Sequence, residues 1–482
     1  MARMKLRCPV SAFLGLLLAG ILGCAGGGKY RSDLLVPSAI VKTAAGAESP
    51  TSAVRTAQYT EPISAAVPTA IAPEVSGKLT LDQLFQYAQV HNPILQRDAA
   101  KVEAARGQTL QASLYPNPNF DGGNPQTFNG RNSMLVAGFS QEIVTMGKLR
   151  LDTAAAHEAF RQAQMTYDQN RIQLLTDVRR QYYSVLSIQQ RVKVLNGLLT
   201  IAETAADTGK KLEKAGETNR IDTLLLTVDF QQVRANLRQS ETKLASARKQ
   251  LAATAGVPGV ETAEVIGDLI NDCLPDFDEE LVRQYAINSS TLIRVSRAEI
   301  TRRHILLKRA KVEPYPNVNI GPVYQFGLTP GTESFALNLV FPVPVWNQNQ
   351  GNIRSATADI RDAEMSLKVA QNEQLQKVAD ALGRYRAGRQ LVEQYEKEIL
   401  PNVRQAQKLA QEGYTKGVFD FARYLQAQRT VVESNLSYVE ALESMWTAVA
   451  DVAGLLQIEQ LPCPTTLPGP RAEVLPPPRT LP

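Results

Sequence analysis

The sequence predicts a mostly helical chain with a small β part, written as an internal two-fold repeat. Three features carry that reading. Tyr115-Pro116-Asn117-Pro118-Asn119-Phe120 returns as Tyr315-Pro316-Asn317-Val318-Asn319-Ile320, 200 residues later. Each copy is followed by an alternating apolar stretch. Each then enters about 60 residues almost free of helix breakers. Stacked solenoid repeats run roughly 20 to 50 residues, so a period this large marks a duplicated half-domain of strand, strand and very long helices.

The helices come first in extent. Only Gly197 interrupts Lys148 to Thr208, and only Gly383, Gly388 and Pro401 interrupt Asn352 to Glu412. A 60-residue helix reaches roughly 90 Å, far beyond a small domain. Val178, Tyr182, Val185 and Ile188 mix three- and four-residue steps in the coiled-coil manner, and Leu391, Tyr395, Ile399 and Val403 recur at four-residue steps on one helical face. Gln, Arg, Asp and Glu occupy the other faces, so the helices are expected to pack as antiparallel hairpins along a narrow seam. Gly197 and Pro401 stand at matching points of the two copies and are expected to bend both helices.

The strands show period two. Phe335, Leu337, Leu339 and Phe341 share one face, opposite Ser334, Ala336, Asn338 and Val340. Val318, Ile320, Tyr324 and Phe326 oppose Asn317, Asn319 and Gln325, and Leu135, Ala137 and Phe139 repeat the pattern more weakly. Alternating segments of about ten residues with aromatics near their ends suit transmembrane β-strands. An ordinary sheet with one face on a helical core gives the same pattern. Four strands cannot close a barrel alone, and open edges are not tolerated in lipid, so spanning requires several copies to pool their strands.

The ends have their own character. Arg3, Lys5 and Arg7 precede an apolar run from Val10 to Leu22, the layout of a secretory signal over 1–23, with an uncleaved anchor as the alternative. Ile21-Leu22-Gly23-Cys24 resembles a bacterial lipobox, which makes Cys24 the expected lipidation site. Residues 24–77, rich in Ala, Pro, Ser and Thr, are expected to form a tether. The body is divided into a first repeat, 78–275, and a second, 276–461, before a Pro-rich tail, 462–482. With Cys24 lipidated, Cys273 and Cys463 remain either as a candidate disulfide in an oxidising compartment or as two unpaired buried thiols.

Beyond the signal no apolar run reaches the ~18 residues of a spanning helix. A net charge of +5 without basic patches interleaved with aromatics argues against nucleic acid as a partner. His91, His157 and His304 are far apart in sequence, with no HExxH or paired-cysteine metal spacing. Gly26-Gly27-Gly28 follows the lipobox rather than a strand, and no GxSxG turn or Walker sequence occurs. The sequence therefore predicts no enzyme activity, no cofactor and no protein-bound metal.

An ordered set of motifs then carries a family resemblance. It comprises Asn92-Pro93, both Tyr-Pro-Asn segments, Ser140-Gln141-Glu142-Ile143 with Gly147-Lys148-Leu149-Arg150, and Phe341-Pro342-Val343-Pro344-Val345-Trp346-Asn347-Gln348-Asn349-Gln350-Gly351-Asn352-Ile353. Leu400-Pro401, Tyr414, Gly417, Leu425 and Ala427-Gln428 follow in order. From Leu79 to about Leu456 the chain resembles the TolC family of outer-membrane efflux proteins, most closely its cobalt-zinc-cadmium branch.

The resemblance implies a homotrimer whose copies pool four strands each into a transmembrane β-barrel continued by a periplasmic α-barrel of helical hairpins. It implies a periplasmic adaptor, an inner-membrane pump of the resistance-nodulation-division type, outer-membrane lipid around the barrel, and passive conduction of solutes such as heavy-metal cations. Drug or protein export on the same fold, or a periplasmic coiled-coil lipoprotein that never spans, are the alternatives. Gly216, Glu217, Thr218, Gly417, Val418 and Phe419 fall at the expected adaptor-docking tips, which are helix-turn-helix corners in any case. The chain departs from the family in carrying Arg423 and Gln426 where acidic residues are usual; matching Gly216 to Gly417 sets Asp222 opposite Arg423, either as a candidate ion pair at the tunnel mouth or as two separately solvated side chains.

Overall fold

The computed structural model describes residues 77–123, 134–216, 218–269, 276–327 and 333–458, all within the unit 69–482. It is mostly helical with a small sheet part. The first stretch runs β1 (Lys78–Leu79), α1 (Leu81–His91), α2 (Pro93–Ser113), β2 (Asn119–Gly123), β3 (Met134–Ile143), α3 (Lys148–Lys214) and α4 (Arg220–Ala255). A short 3-10 helix (Pro258–Thr262) and β4 (Glu264–Val265) follow. The second stretch runs α5 (Glu279–Ser289), α6 (Thr291–Val312), β5 (Val318–Gly327), β6 (Ser334–Val340), α7 (Gln350–Gln394), α8 (Leu400–Thr415) and α9 (Phe421–Leu455).

Local chemistry sets the helix starts. Thr80 and Gln83 form a reciprocal capping box at α1. Asn92 accepts from the Ile94 N–H at 2.8 Å, ahead of Pro93 at the first position of α2. Its amide also donates to the Thr254 carbonyl at 2.7 Å, so the Asn92-Pro93 motif ties α2 to the end of α4.

β2, β3, β5 and β6 form one antiparallel sheet in that order, while β1 and β4 make a parallel two-residue pairing that the sequence does not predict. α3 packs against α2, α4, α6 and α9, and α9 packs against α7 and α8 as well. The main core lies where these helices meet. Val178 and Val185 of α3, Leu251 of α4, Tyr385 of α7 and Leu442 and Met445 of α9 are buried together. Burying such side chains contributes about 1.5–3 kcal/mol each. Tyr183 stacks on Trp446 at 4.8 Å. The Trp446 indole donates to the Leu269 carbonyl at 2.8 Å and the Tyr182 hydroxyl to the Ile266 carbonyl at 2.7 Å, fastening the segment after β4 against the bundle. Asp451 of α9 accepts from Arg384 of α7 at 2.9 Å and also pairs with Arg180 of α3.

Two expectations need correction. α3 continues unbroken through Gly197, whereas α7 and α8 are separated by a π-helical turn, Tyr395–Ile399. Pro401 accounts for the difference: its ring and missing N–H disrupt the preceding turn, and the wider π turn accommodates them. Along that helix the buried line is Tyr385, Val392 and Leu400, and Leu391 points to solvent. The extra residue of the π turn shifts the phase that a uniform helical spacing assumes.

Asp98 gives a test of the packing of α2 on α3. Its carboxylate is buried yet accepts from Lys101 at 2.9 Å, Arg97 at 3.1 Å and Asn170 of α3 at 2.6 Å. Burial alone would raise its pKa from 3.8, but these donors outweigh burial and hold it at about 2. A depressed folded-state pKa stabilises fully above the unfolded value and is lost as pH falls from about 4 towards 2. Asp98→Asn is expected to cost about 1–3 kcal/mol at neutral pH. The gap in melting temperature between variant and parent should narrow as the pH is lowered through that window.

Candidate functional site

The four-stranded sheet is two-faced. Its register sets Phe120 across Phe139, Leu135 across Phe326, Tyr324 across Phe335, Pro322 across Leu337 and Ile320 across Leu339, all on one face. The largest of these stay in the open: Phe335 is 70 % and Leu337 65 % exposed. The opposite face carries Asp121, Ser140, Glu142, Asn319, Gln325, Ser334 and Asn338, with Val136, Val323 and Val340 between them. An apolar face that no helical core covers reverses the rule for a soluble sheet. β2 and β6 are the free edges.

The sheet joins the helices through a buried lysine. Lys148, 3 % exposed at the first position of α3, donates to the Tyr315 carbonyl at 2.6 Å and the Asn317 side-chain oxygen at 3.2 Å. Asn317 in turn donates to Glu142 at 2.7 Å, and the Thr145 hydroxyl donates to the Pro316 carbonyl at 2.8 Å. The Gly147-Lys148 motif of the first half is thus clamped by the Tyr-Pro-Asn motif of the second. The sequence shows both motifs but not that they touch.

At the far end of the helices lie two tips. Gly216 (φ +78°) follows the end of α3, and Gly417 (φ +68°) follows the end of α8, in a backbone region that glycine adopts without strain. Asn219 caps α4 by accepting from the Ile221 N–H at 3.3 Å, and Asp420 caps α9 by accepting from the Arg423 N–H at 3.1 Å. Near the first tip, Gly209 lets Leu226 press against α3. At the second, the Phe419 ring lies on Gly413, where no Cβ would fit, and the Arg423 guanidinium sits over that ring at 5.0 Å. Val418 is exposed.

Of the candidate residues, Gly216, Thr218, Gly417, Val418 and Phe419 all lie at the tips. Glu217, Cys24, Cys273 and Cys463 lie outside the described residues. Within the chain no ion pair joins Asp222 to Arg423. A charged contact that does join the hairpins on the tip side is Arg429 of α9 with Asp229 of α4, whose Nε–Oδ2 distance is 2.9 Å. The candidate pairing follows from matching tip glycines, whereas Arg423 is drawn to the Phe419 ring on its own hairpin. Among the described residues no group of three or more His, Cys, Asp or Glu is placed to hold a metal ion, and no helix is long and apolar enough to cross a membrane.

Comparison with known proteins agrees with this geometry. The family model for outer membrane efflux proteins matches residues 84–257 and again 283–456. The cobalt-zinc-cadmium resistance protein CzcC of Cupriavidus metallidurans is 26 % identical over 386 residues, covering 80 % of this chain and 91 % of that protein. A membrane protein from Pseudomonas aeruginosa superposes with a TM-score of 0.69 at 19 % identity, covering 78 % of this chain and 90 % of that one. CusC superposes at 0.68 and 15 % identity, with 78 % and 91 % covered, and the CmeC outer membrane channel of Campylobacter jejuni at 0.67 and 15 %, with 78 % and 85 % covered. Matched twice over most of its length, the chain belongs to the outer membrane efflux protein, or TolC, family, whose members are channels and not enzymes.

Proposed function

We propose that three copies of this chain form the outer-membrane duct of a tripartite efflux system, through which solutes pass without being chemically changed. The observation that carries this reading is the exposed apolar sheet face bounded by two free edges. Lipid is the solvent such a face matches, and lipid tolerates no open edge, so neighbouring copies must complete the wall. Below the sheet, the 67 residues of α3 extend about 100 Å, enough to carry a tunnel deep into the periplasm. Energy comes from a partner, an inner-membrane pump of the resistance-nodulation-division type reached through a periplasmic adaptor. Cys24 supplies a lipid anchor. The likeness to CzcC favours heavy-metal cations as cargo over drugs or secreted proteins.

Purified trimers are expected to open discrete conductance steps in planar bilayers, and deletion of the gene is expected to sensitise cells to cobalt, zinc or cadmium. Monomers without conductance would overturn the duct, and unchanged metal tolerance would overturn the cargo. The tips are the adaptor-docking sites in this reading. Glu217→Lys combined with Gly417→Leu should abolish crosslinking to the adaptor, and crosslinking at parental yield would remove the tips from that role.

A further inference from the structure

Each half of the chain holds a place where one helix ends beside the start of another. In the first half α4 ends at Ala255 and α2 begins at Pro93, and the junction is closed directly. Asn92 caps α2 and donates to the Thr254 carbonyl at 2.7 Å, while Gly256 lies against the Asn92 backbone, where no Cβ would fit. In the second half α9 ends at Leu455 and α6 begins at Thr291. Ser290 stands in the place of Asn92 but makes no side-chain bond to α6, which leaves the N–H groups at the second and third positions of that helix without a cap acceptor. Gln457 reaches across instead, its amide hydrogen-bonded to the Thr291 hydroxyl at 2.8 Å.

A cavity of about 300 Å³ opens at this second junction, walled by α3, α7 and the end of α9, with Ser290 and Leu292 completing the lining. Sites for small molecules run from about 300 to 1,000 Å³. The lining carries three cations, Arg180, Lys377 and Arg384, against two carboxylates, Asp380 and Asp451. Arg180 and Arg384 share Asp451, and Arg384 also pairs with Asp380 at 3.0 Å. Lys377 pairs with no carboxylate among the described residues, so one positive charge is left over. Gln374 also lines the cavity; it is 7 % exposed and makes no hydrogen bond among the described residues. Buried amides are ordinarily paired. A water could satisfy Gln374 but not the surplus charge.

We propose that this cavity binds a small organic monocarboxylate carrying hydroxyl groups. A single negative charge matches the surplus at Lys377, and the open first turn of α6 presents the kind of N–H donors that hold carboxylates. Gln374 and Gln169 offer amides whose donors and acceptor suit hydroxyl groups. A dianion exceeds the surplus and is opposed by Asp380 and Asp451. Bound there, the ligand ties the start of α6 to α3, α7 and α9, as Asn92 alone ties α2 to α4 in the first half. The site lies within one chain and stands apart from the three-copy reading above.

The test uses the full chain in detergent, with sodium gluconate as the probe. Sodium acetate and glucose represent its charged and hydroxylated parts, and sodium chloride at matched ionic strength is the blank. Gluconate is expected to raise the melting temperature saturably, with a midpoint concentration at least tenfold below those of acetate and glucose. Lys377→Met, at an exposed position, should melt like the parent without ligand and raise the gluconate midpoint at least tenfold. Gln374→Leu removes an amide that has no partner, so it should melt no lower than the parent without ligand, and it too should raise the midpoint. A gluconate response no larger than that of sodium chloride overturns the proposal, as does an unchanged midpoint in Lys377→Met. Acetate or glucose acting at the gluconate midpoint overturns the ligand class.

Discussion

Leu337→Arg is expected to keep the protein out of the membrane. Leu337 sits mid-strand on β6, on the exposed apolar face, across from Pro322. An arginine facing lipid near the bilayer midplane costs about 2–4 kcal/mol. Each of three copies would carry one, so the ring would lose on the order of 6–12 kcal/mol. Asn338→Arg is the control, because its side chain starts from the opposite face one residue along. That variant should insert normally and change ion selectivity instead. Membrane fractionation followed by bilayer recording reads both outcomes. If Leu337→Arg inserted as well as the parent, the apolar face would not be the lipid face, and the duct would lose its main support.

The second large effect is expected at Lys148. Lys148→Met keeps the aliphatic stem but removes the donor, leaving the Tyr315 carbonyl and the Asn317 oxygen without their ammonium partner in a buried site. The Asn317 oxygen keeps the Thr145 N–H at 3.3 Å, so the loss is that of the charged hydrogen bonds and one orphaned carbonyl, about 1.5–3 kcal/mol. The loss falls where the two halves are clamped together. Denaturant unfolding should therefore show a lower midpoint, and assembled material should dissociate at lower temperature. A change below about 0.5 kcal/mol, typical of a surface substitution, would mean that the clamp holds without its lysine.

Much of this was legible in the residues. Val178, Tyr182 and Val185 announce the α3 seam because an unbroken helix preserves the spacing. Strand alternation survives for a similar reason: a period of two leaves no choice of face once one residue is placed. Leu391 misleads because the π turn is a response to Pro401 spread over the preceding turn, and no single residue signals it. The β1–β4 pairing is too short to leave a pattern.

The site divides along the same line. Glycines mark the tips because each turn needs a left-handed residue. Lys148 gives no hint of burial, since a lysine is ordinarily a surface residue, and only the approach of a segment about 170 residues away supplies its acceptors. The Asp229–Arg429 pair is hidden in the same way, among many charges on solvated helix faces.

The two tips also differ in chemistry. One ends a helix bearing Lys211 and Lys214 in its last turn and is capped by neutral Asn219. The other is capped by anionic Asp420 and folds an aromatic ring back on itself. In the proposed ring of three copies, a periplasmic partner would meet six tips of two alternating kinds. On the proposed reading, an adaptor selective for one kind would bind at three per ring and one tolerant of both at six, so the stoichiometry would follow how sharply it distinguishes a lysine-bearing corner from one built on an aromatic ring.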